Sequence, residues 1–488
     1  MATANPAPTA NPAKFRRYAV IFCIIGVVWM FMYSGLQNDQ INIIQASSAW
    51  DANTTVLPMT IGNIVCIALT VVYGTCFIKF GAKKTLIPCI VVCAIGCVGI
   101  AAANGVQVQT PSGEIMTMQA ATSAGITDFT VQGSYGLFFI SLFLVRCGCM
   151  CFQMAGFQMA ASWFIRFRGR VLGIITLGSP LFSVIGTSVM TNFIATSLGG
   201  DYRPFYYGIC AVLVVIAVLT ALLLKDYPEQ AGLYPDGAAE PPKSEKVEDE
   251  VHLTVKDVLS QKRSWILIVN FGIFQFIINC CMASMVTWFM YLCTSNWDKV
   301  AAAAAGNPLF DATGPMFLFV GYATTWLSVG AILGIGMSFI FGVIDDKLGT
   351  PTASVLLGVT ELLPIIGLMT QQAAVAETGL PNVPMLILWG FGVSCMTGGV
   401  PTLHPASMGF MFGRREYQSA NRIIMAIQLI PCAVAATIMI ALINSGNGMI
   451  AWIGCIVLVI IGIIATLPMF RMKDANAEDR DYGRKAEK

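Results

Sequence analysis

The chain has 488 residues, of which 56% are apolar in type and only 11% charged, and its formal net charge is +2. About a quarter of an ordinary soluble protein is charged, so this composition excludes one and makes lipid the main solvent. The near-neutral balance gives no ground for binding nucleic acid.

A tail of Pro, Ala and Asn residues ending in Lys14, Arg16 and Arg17 comes first. Twelve apolar blocks follow, at 18–42, 54–78, 84–104, 133–163, 170–195, 203–225, 264–293, 316–344, 350–371, 384–411, 418–444 and 448–470. At about 1.5 Å per residue, blocks of this length cross roughly 30 Å of hydrocarbon as helices. None alternates apolar and polar residues over about ten positions, which argues against barrel strands. The first block is too long for the apolar part of a secretion signal and has no clear small-residue cleavage site after it, so it is expected to be retained.

In chain order, the first block carries Tyr33 and Gln37, four apart and therefore on one face. The hairpin after the second block reads Tyr73-Gly74 and then Lys79-Phe80-Gly81. Residues 105–132 form the longest outer loop, where Val106 to Met118 alternates around Thr110-Pro111-Ser112-Gly113; a small hairpin and a plain insertion both fit. Arg146 sits about half-way along the fourth block, with Gln153 two turns on and on the same face. A charge at that depth costs about 2.5–3.5 kcal/mol on insertion and so needs a partner or a task. Its guanidinium can offer two parallel donors to a carboxylate, or it can be a structural or gating Arg bonded to neighbouring polar groups. Of Cys147, Cys149 and Cys151, only the first and last share a face, and no His or carboxylate is near in sequence, so no metal is expected.

From Asp226 to Arg263 the chain turns polar and separates six blocks from six. The end of this linker sets Leu253, Val255, Val258 and Leu259 against Lys256, Asp257, Lys262 and Arg263, which suits a helix lying on the membrane surface or a plain linker helix. In the seventh block Gln275 and Asn279 are again four apart, and uncharged polar groups in lipid need partners. The eighth block has no Lys, Arg or His, and the hairpin after it reads Phe341-Gly342, Asp345 and Lys347-Leu348-Gly349. Glu361 in the ninth block, and His404 between Pro401 and Pro405 in the tenth, are the proton-coupling candidates; the other reading is a protonated or snorkelling Glu361 with no transport role, and a satisfied structural His404. Arg422, about one turn inside the eleventh block, either snorkels to the interface or serves as a second anion contact.

Of the 28 basic residues, all but Arg146, Arg203, Lys299 and Arg422 fall in the tails and alternate hairpins. Basic residues beside short loops are retained inside, so both termini are expected in the cytoplasm. The expected organisation is a cytoplasmic tail (1–17), a six-helix bundle (18–225, with the outer loop 105–132), a cytoplasmic linker (226–263), a second six-helix bundle (264–470) and a cytoplasmic tail (471–488). Short tails and a compact linker point to a prokaryotic plasma (inner) membrane. The two Gly-and-Lys hairpins have identical spacing, and Trp163-Phe164-Ile165-Arg166 after the fourth block matches Met411-Phe412-Gly413-Arg414 after the tenth. A two-fold repeat of helical bundles points to a transporter.

The six-plus-six plan with these hairpins resembles the major facilitator superfamily, whose signature there is a Gly, an Asp, a basic residue and another Gly. Gly342, Asp345, Lys347 and Gly349 fit that pattern, whereas in the first copy Phe77 stands in place of the Asp beside Gly74, Lys79 and Gly81. Trp163-Phe164, Arg166, Arg168-Gly169-Arg170 and Gly173, leading to Gly178-Ser179-Pro180, are similar to a signature of the monocarboxylate transporters and oxalate/formate antiporters. Gly398-Gly399, Pro401, Pro405-Ala406, Phe412-Gly413 and Asn421 agree with it, as do linker residues Tyr227-Pro228-Glu229 and Gly232 to Gly237. The resemblance implies an all-α membrane protein of twelve helices in two pseudo-symmetric bundles, with helices 1 and 7 lining a central cavity and the two hairpins acting as conformational-switch loops. Carboxylate carriers of these families commonly place a basic residue in helix 8; its absence here leaves Arg146 and Arg422 to recognise charge.

The leading expectation is secondary transport of a small organic anion, a mono- or dicarboxylate, by alternating access, as antiport or with protons. The carrier is expected to work as a monomer, with the bilayer and a small-molecule substrate as its partners. Export of a neutral or hydrophobic compound is the alternative, favoured by Met- and aromatic-rich helices and the bare eighth block; a transporter-like sensor is a third. The sequence has no Gly-rich phosphate loop, metal-ligand spacing or nucleophile with a base, so no enzyme and no cofactor are expected.

Overall fold

In hydrocarbon every backbone N–H and C=O must pair within its own segment, which is why the apolar blocks become helices. The computed structural model describes residues 11–39, 44, 48–50, 52–123, 128–182, 190, 193–194, 197–238, 253–304 and 315–475. The first half contains α1 (Pro12–Ser34), α2 (Ala52–Phe80), α3 (Ala82–Ala102), α4 (Tyr135–Trp163), α5 (Arg168–Thr176, continued by Gly178–Phe182) and α6 (Arg203–Leu223). The second contains α7 (Lys262–Ser295), α8 (Pro315–Leu348), α9 (Thr350–Thr378), α10 (Val383–Gly413), α11 (Glu416–Asn444) and α12 (Gly448–Thr466). Among the described residues 11 helices are long and apolar enough to span a membrane. The remaining expected span, the fifth block at 170–195, is described through α5 and its continuation, and much of its remainder lies outside the described residues.

Local chemistry sets several boundaries. Pro12 occupies the first turn of α1, where its missing N–H costs nothing, and Asn11 Oδ1 accepts from Lys14 N at 3.0 Å. Ser134 and Asn382 cap α4 and α10 in the same way. The repeat read in the two hairpins is also a repeat of backbone. Gly81 before α3 has φ 88° and ψ 159°, and Gly349 before α9 has φ 88° and ψ 154°. Only Gly adopts this conformation without strain, so the two halves turn the same corner with the same residue.

The 105–132 loop holds a three-stranded antiparallel sheet, β1 (Gln107–Gln109), β2 (Ile115–Thr117) and β3 (Thr130–Val131), in the order β2-β1-β3. Val108 stands opposite Met116 and Val131, and Gly113 (φ 84°) closes the β1–β2 turn. Of the two readings of this loop, the hairpin is the one observed. At the other end of the molecule both tails and the linker come together. Lys14 Nζ donates to Ala231 O at 2.6 Å, Tyr18 Oη to Lys225 O at 2.8 Å, and Ala475 N to Phe410 O at 2.9 Å. The end of the linker forms a short helix, Val255–Ser260, whose Val258 is fully buried against the protein.

Asp236 straps the linker to the α4–α5 turn, its Oδ2 accepting from Ile165 N at 3.1 Å and Arg166 N at 2.8 Å. Burial pushes its carboxyl up to about 6, against the two amides and the charges of Arg166 and Arg168, which act the other way. An unfolded aspartate titrates near 3.9, so docking takes up a proton between about pH 4 and pH 6. The strap is therefore firmest at low pH and loosens as pH rises through about 6. Hydrogen-exchange protection of the Ile165 and Arg166 amides, corrected for intrinsic rates, is expected to fall roughly tenfold from about pH 5 to pH 7.5. Asp236→Asn keeps the acceptor and should flatten that profile; a flat wild-type profile would contradict the account.

Candidate functional site

On the side of the tails the two halves are closed onto each other. Gly169 N and Arg170 N, at the start of α5, donate to the two carboxylate oxygens of Asp346 at 3.1 and 3.2 Å, and Arg170 Nε pairs with Asp346 at 3.0 Å. The buried Arg168 donates to Ala406 O of α10 at 3.2 Å. Deeper in, the Thr176 and Thr402 hydroxyls meet at 2.9 Å. The backbones approach closely because Gly faces Gly or backbone: a Cβ on Gly173 would lie 2.7 Å from Ser338 O, and one on Gly342 2.5 Å from Gly169 O.

Beyond this closure, toward the opposite end, lies a cavity of about 330 Å³ between the halves. Tyr33, Gln37, Gln153, Gln275 and Asn279, together with Arg146, all line it. Tyr33 near the end of α1, Gln37 in the π-helical turn Gly35–Asp39 that continues it, and the Gln275/Asn279 pair of α7 thus face the same space. Arg146 is 5% exposed. Its Nε donates to Asn63 Oδ1 on α2, and Nη1 lies 4.0 Å from Cys149 Sγ. Among the described residues no carboxylate comes within ion-pair distance of it. α2 can approach this Arg because Gly62 has no side chain; a Cβ there would lie 2.6 Å from Arg146 Cγ. Gln37 Oε1 is buried with no hydrogen-bond partner, which leaves an acceptor facing the same space.

The cavity is two-sided in chemistry. Its N-terminal wall supplies Arg146, Tyr33, Ser34, Gln37, Asn63, Gln153 and Ser179. The C-terminal wall is mainly apolar, with Ile278, Met282, Ala331, Val400, Met425 and Leu429 around Gln275, Asn279 and Thr397. Pro401 has no N–H, so the backbone carbonyl of Thr397, in this wall, loses its usual partner within α10. Asn63 escaped the sequence reading, although a lone Asn in an apolar span is itself a signal that something polar faces it.

Three expected site residues do not border the cavity. Arg422, expected as the second anion contact, lies one turn below Met425 on the same face of α11, within the closure. It donates to Thr75 Oγ1 at 2.9 Å and Leu253 O at 3.2 Å, and its stem packs on Gly74. His404 is buried, with Nε2 2.8 Å from Gln428 Oε1, while Gln428 Nε2 donates to Leu267 O at 2.7 Å. With the Gln oxygen facing it, the ring nitrogen is the donor, and the pair ties α10, α11 and α7 together. Glu361 is fully buried in the second half, and neither carboxylate oxygen has a hydrogen-bond partner.

A family model described as Major Facilitator Superfamily matches residues 17–414. The chain belongs to that superfamily. It is accordingly an integral membrane transporter of a small molecule and not an enzyme. Solved structures of other members agree in fold. The proton:xylose symporter XylE, with 6-bromo-6-deoxy-D-glucose bound, superposes with a TM-score of 0.62 at 15% identity, covering 95% of this chain and 99% of that one. FucP in an outward conformation gives 0.60 at 14% identity, covering 94% and 100%. The E. coli fucose:proton symporter FucP, in a second structure, gives 0.59 at 14%, covering 94% and 99%. At this identity the likeness carries the fold alone. No curated protein matches the sequence.

In this superfamily member the two hairpins sit at the closed end. Gly74 meets Arg422, Gly81 lies against Asp226, Gly342 meets Gly169, and Gly349 begins α9. Lys79 and Lys347 are exposed. Asp345, the expected acidic residue of the second hairpin, is buried and interacts with Arg168 and Thr350. The carboxylate that holds the start of α5 is the adjacent Asp346.

Proposed function

We propose that the chain moves a small organic anion carrying one carboxylate, by alternating access, as an antiporter or with protons. The observation that supports this is Arg146: a buried cation in the wall of a cavity between the halves, with neutral partners only. A desolvated charge without a counter-ion is costly, and a substrate carboxylate that accepts from its Nη groups, of which Nη1 meets only the weak acceptor Cys149 Sγ, relieves that cost. With Arg422 inside the closure, Arg146 is the one cation lining the cavity among the described residues, which favours a monocarboxylate over a dicarboxylate. The apolar C-terminal wall then suits the body of the substrate.

The positive-inside pattern supports reading the tails, and with them the closed end, as cytoplasmic, so this conformation is read as outward-facing, in a plasma membrane. The carrier is read as working as a monomer. Export of a neutral compound is the second reading, and the apolar C-terminal wall favours it. Xylose and fucose, named for the two structural neighbours, serve as the neutral polar controls. In proteoliposomes, accumulation of labelled short-chain monocarboxylates, competed by unlabelled monocarboxylates and not by these sugars, is the expected result. Uptake competed by the sugars, or by apolar neutral compounds alone, would overturn the anion reading.

A further inference from the structure

A second recess, of about 490 Å³, opens at the tail-bearing end of the N-terminal half, where the α2–α3 turn meets the end of α6. Its wall holds three ammonium groups, Lys83, Lys84 and Lys225, and one carboxylate, Asp226. Two of the four are occupied by the fold. Lys83 Nζ donates to Ala221 O and to Leu224 O, the latter at 3.1 Å, and Asp226 Oδ1 accepts from Lys83 N at 2.7 Å at the start of α3. Lys84 and Lys225 are exposed and form no ion pair among the described residues. Beside the lysines the surface turns apolar at once. Phe80 in the wall is 61% exposed, and Leu222, in the last turn of α6, is 73% exposed. Large apolar side chains at the end of a membrane span meet acyl chains, while Lys stems reach the headgroup level.

We propose that this recess binds the headgroup of an anionic phospholipid from the leaflet on the tail side, with its phosphate at Lys84 and Lys225 and its acyl chains along Phe80 and Leu222. Cationic recesses between spans attract such lipids, and a ligand that joins a phosphate to two acyl chains covers both surfaces at once. Free phosphate would use the lysines and leave the apolar rim bare. The acidic linker stretch Glu248-Asp249-Glu250 would do the same.

The test uses the full chain purified in a neutral detergent, with lipid retention read by native mass spectrometry and melting temperature read in parallel. Phosphatidylglycerol should be retained and raise the melting temperature more than phosphatidylcholine. A Lys84→Gln, Lys225→Gln double variant should lose about thirtyfold in phosphatidylglycerol affinity, given the contribution of each Lys near an anionic surface. Phe80→Ser should weaken retention with both lysines intact, and Lys299→Gln, far along the chain in the second half, should leave it unchanged. Equal retention of the two lipids, equal retention by the double variant, or an equal shift with inorganic phosphate alone would each overturn the proposal.

Discussion

Arg146→Gln is expected to reduce monocarboxylate uptake about 10²-fold or more while leaving the protein folded. Removing one partner of a buried charge pair costs several kcal/mol of binding, and each 1.4 kcal/mol is about tenfold. Gln can still donate to Asn63 Oδ1, so the contact between α4 and α2 keeps a hydrogen bond, and the melting temperature should move by only a few degrees. Arg146→Lys keeps the charge but loses the planar fork, and an intermediate loss of about tenfold is expected. Full uptake by Arg146→Gln in proteoliposomes would remove the anion assignment and leave the transporter fold untouched.

Gly173→Val is expected to prop the tail-side closure open. The new Cβ would lie 2.7 Å from Ser338 O, a backbone atom that cannot rotate away, so α5 and α8 must separate. Overpacking of this kind costs about 1–3 kcal/mol, which shifts a two-state equilibrium roughly tenfold to a hundredfold away from the closed form. Amides at the start of α5 and near the end of α8 should exchange hydrogen faster, and uptake should fall, because a carrier held in one state cannot cycle. Gly272→Val is the control: the nearest atom to its Cβ would be Gln428 Cγ, at 3.7 Å. Unchanged exchange in the Gly173 variant would show that this contact does not set the conformation.

The sequence anticipated the cavity unevenly, for a physical reason. Tyr33 with Gln37 and Gln275 with Asn279 were found because two polar groups at helical spacing in an apolar span define a face, and a polar face in lipid must look inward. Arg146 was legible for the same reason, through the cost of burying a charge. Arg422, read as either a snorkelling residue or a second anion contact, shares its face with Met425 and Leu429, which line the cavity, and lies one turn short of them, about 5 Å along the axis. Spacing along one helix gives its angular face but not where a partner helix crosses it. Asp346 was missed because which of two adjacent acids reaches the start of α5 depends on how the halves dock.

What the sequence determined by itself is what the solvent dictates residue by residue. The spans, the six-plus-six division, the repeated Gly corners at Gly81 and Gly349, and the cost of Arg146 in the membrane all follow from local hydropathy, backbone freedom and charge. The tertiary structure alone decided which end is closed, that His404 is tied to Gln428, that Arg422 belongs to the closure, and that the cavity has one cationic wall and one apolar wall. These depend on the relative height and rotation of helices from different halves. Lipid leaves both nearly free until backbone contacts such as Gly173 on Ser338 and Gly169 on Asp346 fix them.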